Sequence, residues 1–101
     1  MITVVFTDRA KESLAEILHF LRERWTQKQI DELYSDMEQL ISTIDDNILK
    51  HPYYKNSNIR KALIARRQVS VFYKETGRDQ ITILLIWPNK KNPKTLRSLL
   101  K

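Results

Sequence analysis

Three adjacent pairs of cations, Arg60-Lys61, Arg66-Arg67 and Lys90-Lys91, lie in the second half of the chain. Guanidinium and ammonium groups neutralise phosphates and carboxylates, and arginine can do so through two parallel hydrogen bonds. Trp87 stands just ahead of Lys90 and Lys91, and an aromatic ring beside cations is a common means of stacking a base. The chemistry these residues suggest is the gripping of a polyanion. Other chemistries find little footing. His19 and His51 are the only histidines, cysteine is absent, and no His-x-x-x-His pair occurs, so no metal site is expected and both imidazoles read as solvated. Asp45 and Asp46 are neighbours at a helix end, where adjacent side chains do not face each other. A single glycine, Gly77, leaves no phosphate-cradling loop, and no GxSxG or comparable nucleophile motif is present. No cofactor is implied.

The net charge of +6 conceals a polarity along the sequence. Residues 1–49 hold five bases and ten acids, whereas residues 50–101 hold thirteen bases and only Glu75 and Asp79 as acids. One face is therefore expected to project a positive field of several kT, attractive to nucleic acid, ribosome or an acidic protein. At 101 residues with 42% apolar, the chain suits one domain, spanning 1–101, with one core. No run reaches the roughly 18–20 apolar residues of a membrane span. The start, Met1-Ile2-Thr3-Val4-Val5-Phe6, lacks the basic segment of a secretory signal, so a cytoplasmic protein without disulfides is expected.

The elements that must position the cations follow from periodicity. Ile2, Val4 and Phe6 alternate with Thr3 and Val5 as in a short strand. Thr7-Asp8 offers an N-cap, after which Ala10, Leu14, Ile17, Leu18, Leu21 and Trp25 form one helical stripe. Thr26-Gln27-Lys28-Gln29 has the form of a capping box, flanked by Trp25 and Ile30 at the positions of a hydrophobic staple. The second helix then presents Ile30, Leu33, Tyr34, Met37, Leu40, Ile41, Ile44 and Ile48 on one face. A polar loop from His51-Pro52-Tyr53-Tyr54 onward, with Tyr53 and Tyr54 read either as partner contacts or as cover for the edge of the core, precedes three strands.

Lys61-Ala62-Leu63-Ile64-Ala65 leads through the turn Arg66-Arg67-Gln68 to Val69-Ser70-Val71-Phe72-Tyr73, which places Tyr73 on the core face with Val69 and Val71. Gly77 falls in the next turn, where a positive φ is expected. Residues 80–87 form a nearly continuous apolar run that suits a central strand buried on both faces, and Pro88 ends it. The order β-α-α-β-β-β describes an α+β fold: a mostly antiparallel four-stranded sheet with an N-terminal helical hairpin on one face.

This order, with Ile59-Arg60-Lys61-Ala62-Leu63-Ile64, Val71-Phe72-Tyr73-Lys74, Ile83-Leu84-Leu85-Ile86-Trp87 and Lys90-Lys91-Asn92-Pro93, resembles the RelE/ParE superfamily. These are small toxins of type II toxin–antitoxin modules. The resemblance runs from Ile2 to about Leu96 and implies a cognate antitoxin as partner. It also implies one of two targets: DNA gyrase in the ParE branch, or mRNA in the ribosomal A site in the RelE branch.

Nuclease action of the RelE type needs a base, an acid and cations on the phosphate. In the resemblance, Ser70 stands where that branch has an arginine, and no tyrosine or histidine follows Trp87. Arg67, Lys90 and Lys91 are the catalytic candidates if the chain is a ribosome-dependent endoribonuclease. The tail Asn89-Lys90-Lys91-Asn92-Pro93 looks more like the ParE branch, with lysines where an arginine is usual. The expectation is a ParE-like toxin, with enzyme activity left open but leaning against it, which docks Arg60, Lys61, Arg66, Arg67, Trp87, Lys90 and Lys91 onto gyrase. An acidic amphipathic antitoxin segment would lie in a groove beside the helical hairpin. The alternatives are the RelE-type endonuclease and a non-toxic member that only binds an antitoxin.

Overall fold

In the computed structural model, the structure describes residues 3–45, 51–55 and 57–89. The chain forms β1 (Thr3–Phe6), α1 (Asp8–Arg24), α2 (Gln27–Asp45), β2 (Arg60–Ile64), β3 (Val69–Gly77) and β4 (Gln80–Pro88). The strands make one open sheet in the order β1-β4-β3-β2. Only the β1–β4 pair is parallel. The α+β architecture expected from the sequence is the one observed.

Local chemistry starts and stops the helices. The Thr7 hydroxyl accepts from Ala10 N at 3.0 Å and caps α1. At the junction of the helices, Thr26 Oγ1 accepts from Gln29 N at 3.3 Å while Thr26 N donates to Gln29 Oε1 at 3.0 Å. This is the reciprocal capping box that the sequence announces. Beside it Trp25 packs against the core, to which Ile30 also belongs. Tyr34 departs from the expected stripe: it is 45% exposed, off the buried line of Ile30, Leu33, Met37 and Leu40. Ile48 lies outside the described residues.

The helices cover one sheet face, where Ala10, Ile17, Leu21 and Leu33 meet Ala62, Val69, Val71, Tyr73, Ile81 and Ile83. The opposite face carries a smaller cluster of Ile59, Phe72, Leu85 and Trp87. One irregularity in β4 divides them. Tyr73 pairs with Ile83 but Phe72 pairs with Leu85, so Leu84 is an extra residue. A bulge of this kind reverses the alternation of side chains, which is how Ile83 and Ile86 come to share the helix face. Beyond Phe6 no strand among the described residues lies beside the edge of β4. Side chains of the α1 end take over: Thr7 Oγ1 donates to Leu84 O at 3.2 Å, and Ile86 N donates to Ser13 Oγ at 3.0 Å.

The turns differ from expectation. Gly77 is the last residue of β3, paired with Gln80, and no described glycine has a positive φ. Left-handed backbone falls instead on Lys55 (φ 51°) in the loop before β2 and on Ala65 (52°), Arg66 (56°) and Arg67 (69°), the turn between β2 and β3.

Candidate target-binding face

The expected basic face is divided by the geometry of β2. Neighbours on a strand point to opposite faces, so Arg60 and Lys61 diverge. Arg60 is paired across to Tyr73 on the helix-covered side, whereas Lys61 is paired to Phe72 on the other. Both lie at the far end of β2 from Arg66 and Arg67, which follow Ile64 in the turn.

Arg60 is not available as a surface cation. Its Nε donates to Glu75 Oε1 at 3.2 Å, Nη1 to His51 O at 2.6 Å, and Nη2 to the Tyr53 hydroxyl at 3.0 Å. The guanidinium also lies 4.2 Å from the centre of the Tyr53 ring. Every nitrogen is engaged, and the side chain is 12% exposed. Arg60 thus ties residues 51–53 to the sheet. Tyr53 is itself exposed, while Tyr54 packs edge-on against Phe72.

His51 corrects the expectation of a solvated imidazole. It is half-buried, and its Nδ1 shares a 2.6 Å hydrogen bond with the Tyr73 hydroxyl, the two rings meeting edge to face. Burial, with the Arg60 guanidinium behind it, holds the His51 pKa below its ordinary value. Burial likewise pushes the Tyr73 phenol up, against the opposing pull of Arg60. The group has the elements of acid–base chemistry, but Tyr73 is 2% exposed and closed to a substrate. His19 is exposed on α1.

The β2–β3 turn presents cations outward. The Arg66 side chain is 80% exposed, and its nearest acid, Glu32 on α2, stands at 3.8 Å. Arg67 is exposed, and no ion pair joins it to a described residue. The turn is held from both sides. Ala65 N donates to Asp36 Oδ2 of α2 at 2.8 Å. Asn89, just past β4, donates Nδ2 to Arg67 O at 2.7 Å and its backbone N to Gln68 O at 2.9 Å. Ser70 is fully buried and its hydroxyl donates to Asn89 Oδ1 at 2.5 Å. Ser70 is therefore an internal strut. Asp36 was not singled out by sequence, and Asn89 appeared there only as the start of the tail, not as a support for this turn; no local pattern marks a side chain that serves a turn distant in the chain.

Trp87 is 5% exposed, packed with Ile59, Phe72 and Leu85, so it belongs to the second core cluster rather than to a stacking surface. Lys90 and Lys91 lie outside the described residues. Asp45 ends α2, and Asp46 is outside. Between α1 and β4 runs a cleft of about 420 Å³, lined by apolar Ile17, Phe20 and Pro88 and by charged Arg9, Glu12 and Glu16. Phe20 is 44% exposed there, with the Arg24 guanidinium 4.3 Å from its ring centre. No described helix is long and apolar enough to cross a membrane.

No protein-family model matches the sequence, and no curated protein does. Among solved structures the chain is similar to one of the chromosomal ParDE TA system from P. aeruginosa. The TM-score is 0.68 at 17% identity, over 87% of this chain and 96% of that one. At that identity the likeness is one of fold, and it extends over nearly the whole of both chains.

Proposed function

We propose that the chain is the toxin of a type II toxin–antitoxin module, nearer to ParE than to RelE. It acts in the cytoplasm on an essential macromolecule, DNA gyrase foremost, and is silenced by a cognate antitoxin. The observation that carries this reading is the fold shared, over 87% of this chain and 96% of the other, with a chain of a ParDE system. The interior supports the non-nuclease branch: Ser70 is buried and Tyr73 is closed to solvent, so neither reaches a phosphate.

The exposed turn Arg66-Arg67 is the target contact in this reading, with Lys61, Lys90 and Lys91 as further cations. Arg60 is withdrawn from the set because its fork is filled, and Trp87 because it is core. The antitoxin's apolar residues would use the cleft between α1 and β4, and its acidic ones the arginine turn.

Inducing the chain alone and following translation and DNA damage over time tests the reading. Continued translation followed by a growth block with DNA-damage signalling is the expected result, relieved by Arg66→Ala together with Arg67→Ala. Immediate arrest of translation would replace it with ribosomal mRNA cleavage. Unimpaired growth would leave a non-toxic antitoxin-binding protein.

A further inference from the structure

We infer that Asn89 is a positioning residue for the Arg66–Arg67 turn, the link that keeps both guanidinium groups in one fixed presentation to the target. The inference rests on the reading that this turn is the contact surface. Three consecutive residues with φ of 52°, 56° and 69°, none of them glycine, occupy a region that L-residues avoid. Such a backbone persists only where its surroundings over-determine it, and such sites cluster where function needs a fixed geometry.

Here the surroundings are specific. Pro88 has no N–H, so the β4 ladder ends and Asn89 is the next residue able to donate. Asn89 uses that freedom on the turn alone: its backbone N reaches Gln68 O at 2.9 Å and its side-chain Nδ2 reaches Arg67 O at 2.7 Å. The amide is locked in that orientation because Oδ1 accepts from the fully buried Ser70 hydroxyl at 2.5 Å. Asp36 holds the other end through Ala65 N at 2.8 Å, and Gln68 N closes the turn on Ala65 O at 3.1 Å. Asn89 touches carbonyls of Arg67 and Gln68, never the guanidinium groups, so it acts through the turn's backbone.

Trypsin cuts after arginine and reports directly on the turn. Asn89→Ala should speed cleavage after Arg66 and Arg67 about tenfold, the change a lost hydrogen bond brings. Cleavage after Arg22 and Arg24 in α1 should stay as in the unaltered chain, and growth arrest should weaken. Asn89→Asp keeps an acceptor for Ser70 but has no donor for Arg67 O, so it should behave like Asn89→Ala. Ser70→Ala, which frees the amide without removing it, should give a smaller change in the same direction.

Protection of the turn in Asn89→Ala, or an Asn89→Asp chain that behaves like the unaltered one, would overturn the inference. So would equal acceleration at all four arginines, which would make Asn89 a general structural residue. If the unaltered chain arrests no growth, the toxin reading fails, while the tryptic pattern still decides whether Asn89 positions the turn.

Discussion

Arginine does opposite work at the two ends of β2. At Arg60 each nitrogen has a partner, and the residue fastens His51 and Tyr53 to the sheet. At Arg66 and Arg67 the backbone is fastened and the side chains are left outward. The first arrangement has a measurable consequence through its neighbours. His51 has a folded pKa below its ordinary 6.5, so the unfolded chain takes up the proton first as pH falls. The stability this neutral imidazole contributes is present above about pH 6.5 and is lost as pH falls through the folded value. Tyr73 has a folded pKa above its ordinary 10.0, so its contribution is present below that pH and is lost as pH rises through the folded value.

A plot of unfolding midpoint against pH should therefore slope down on both sides of a plateau. His51→Gln should flatten the acid arm and Tyr73→Phe the alkaline one, the latter at a cost of about 1 kcal/mol for the shared hydrogen bond. An acid arm unchanged in His51→Gln would assign it to other groups.

At the scale of elements, what could be read in advance depended on whether the cause was local. The capping box was legible because Thr26 and Gln29 are three residues apart and satisfy each other. Thr26→Ala should cost about 1 kcal/mol, which for a domain of this size lowers the unfolding midpoint by roughly 4–8 °C. Gln29→Ala should cost less in the Thr26→Ala background than alone, because the two bonds act as one unit; strict additivity would show that they do not.

The extra residue Leu84 was not legible, because a continuous apolar run carries no period from which a change of face can be read. The left-handed turn escaped for a different reason. Glycine normally signals such a backbone, but the chain's one glycine serves elsewhere, and the turn draws its support from Asp36 and Asn89. The cations of the candidate face were visible in the sequence. Their division between a buried clamp and an exposed turn was not, since it is set by contacts with residues 51, 53 and 75.

Charge at the scale of the molecule follows the packing rather than the sequence halves. Helix α2 belongs to the acidic half but lies against β2, which brings Glu32 to 3.8 Å from Arg66 and Asp36 under the same turn. Asp36 keeps its charge while accepting from Ala65 N, so Glu32 and Asp36 together offset the arginines, Glu32 as the one that pairs with a guanidinium. The longest dimension of the molecule is 39 Å, several times the screening length of about 10 Å in 0.1 M salt. Distant charges therefore count for little at that salt, and the local balance of Arg66, Arg67, Glu32 and Asp36 governs the field at the turn.

Binding to heparin, a soluble polyanion, should weaken steadily between about 0.02 M and about 0.5 M salt, since counterions are released with each contact. Glu32→Gln should tighten binding a few-fold at the low end, the scale of an exposed ion pair, and the two curves should converge as salt rises. The substitution removes a charge without touching either arginine, so convergence separates screening from a change in structure. A flat curve for the unaltered chain would mean that this turn does not act through its charge, whatever it meets.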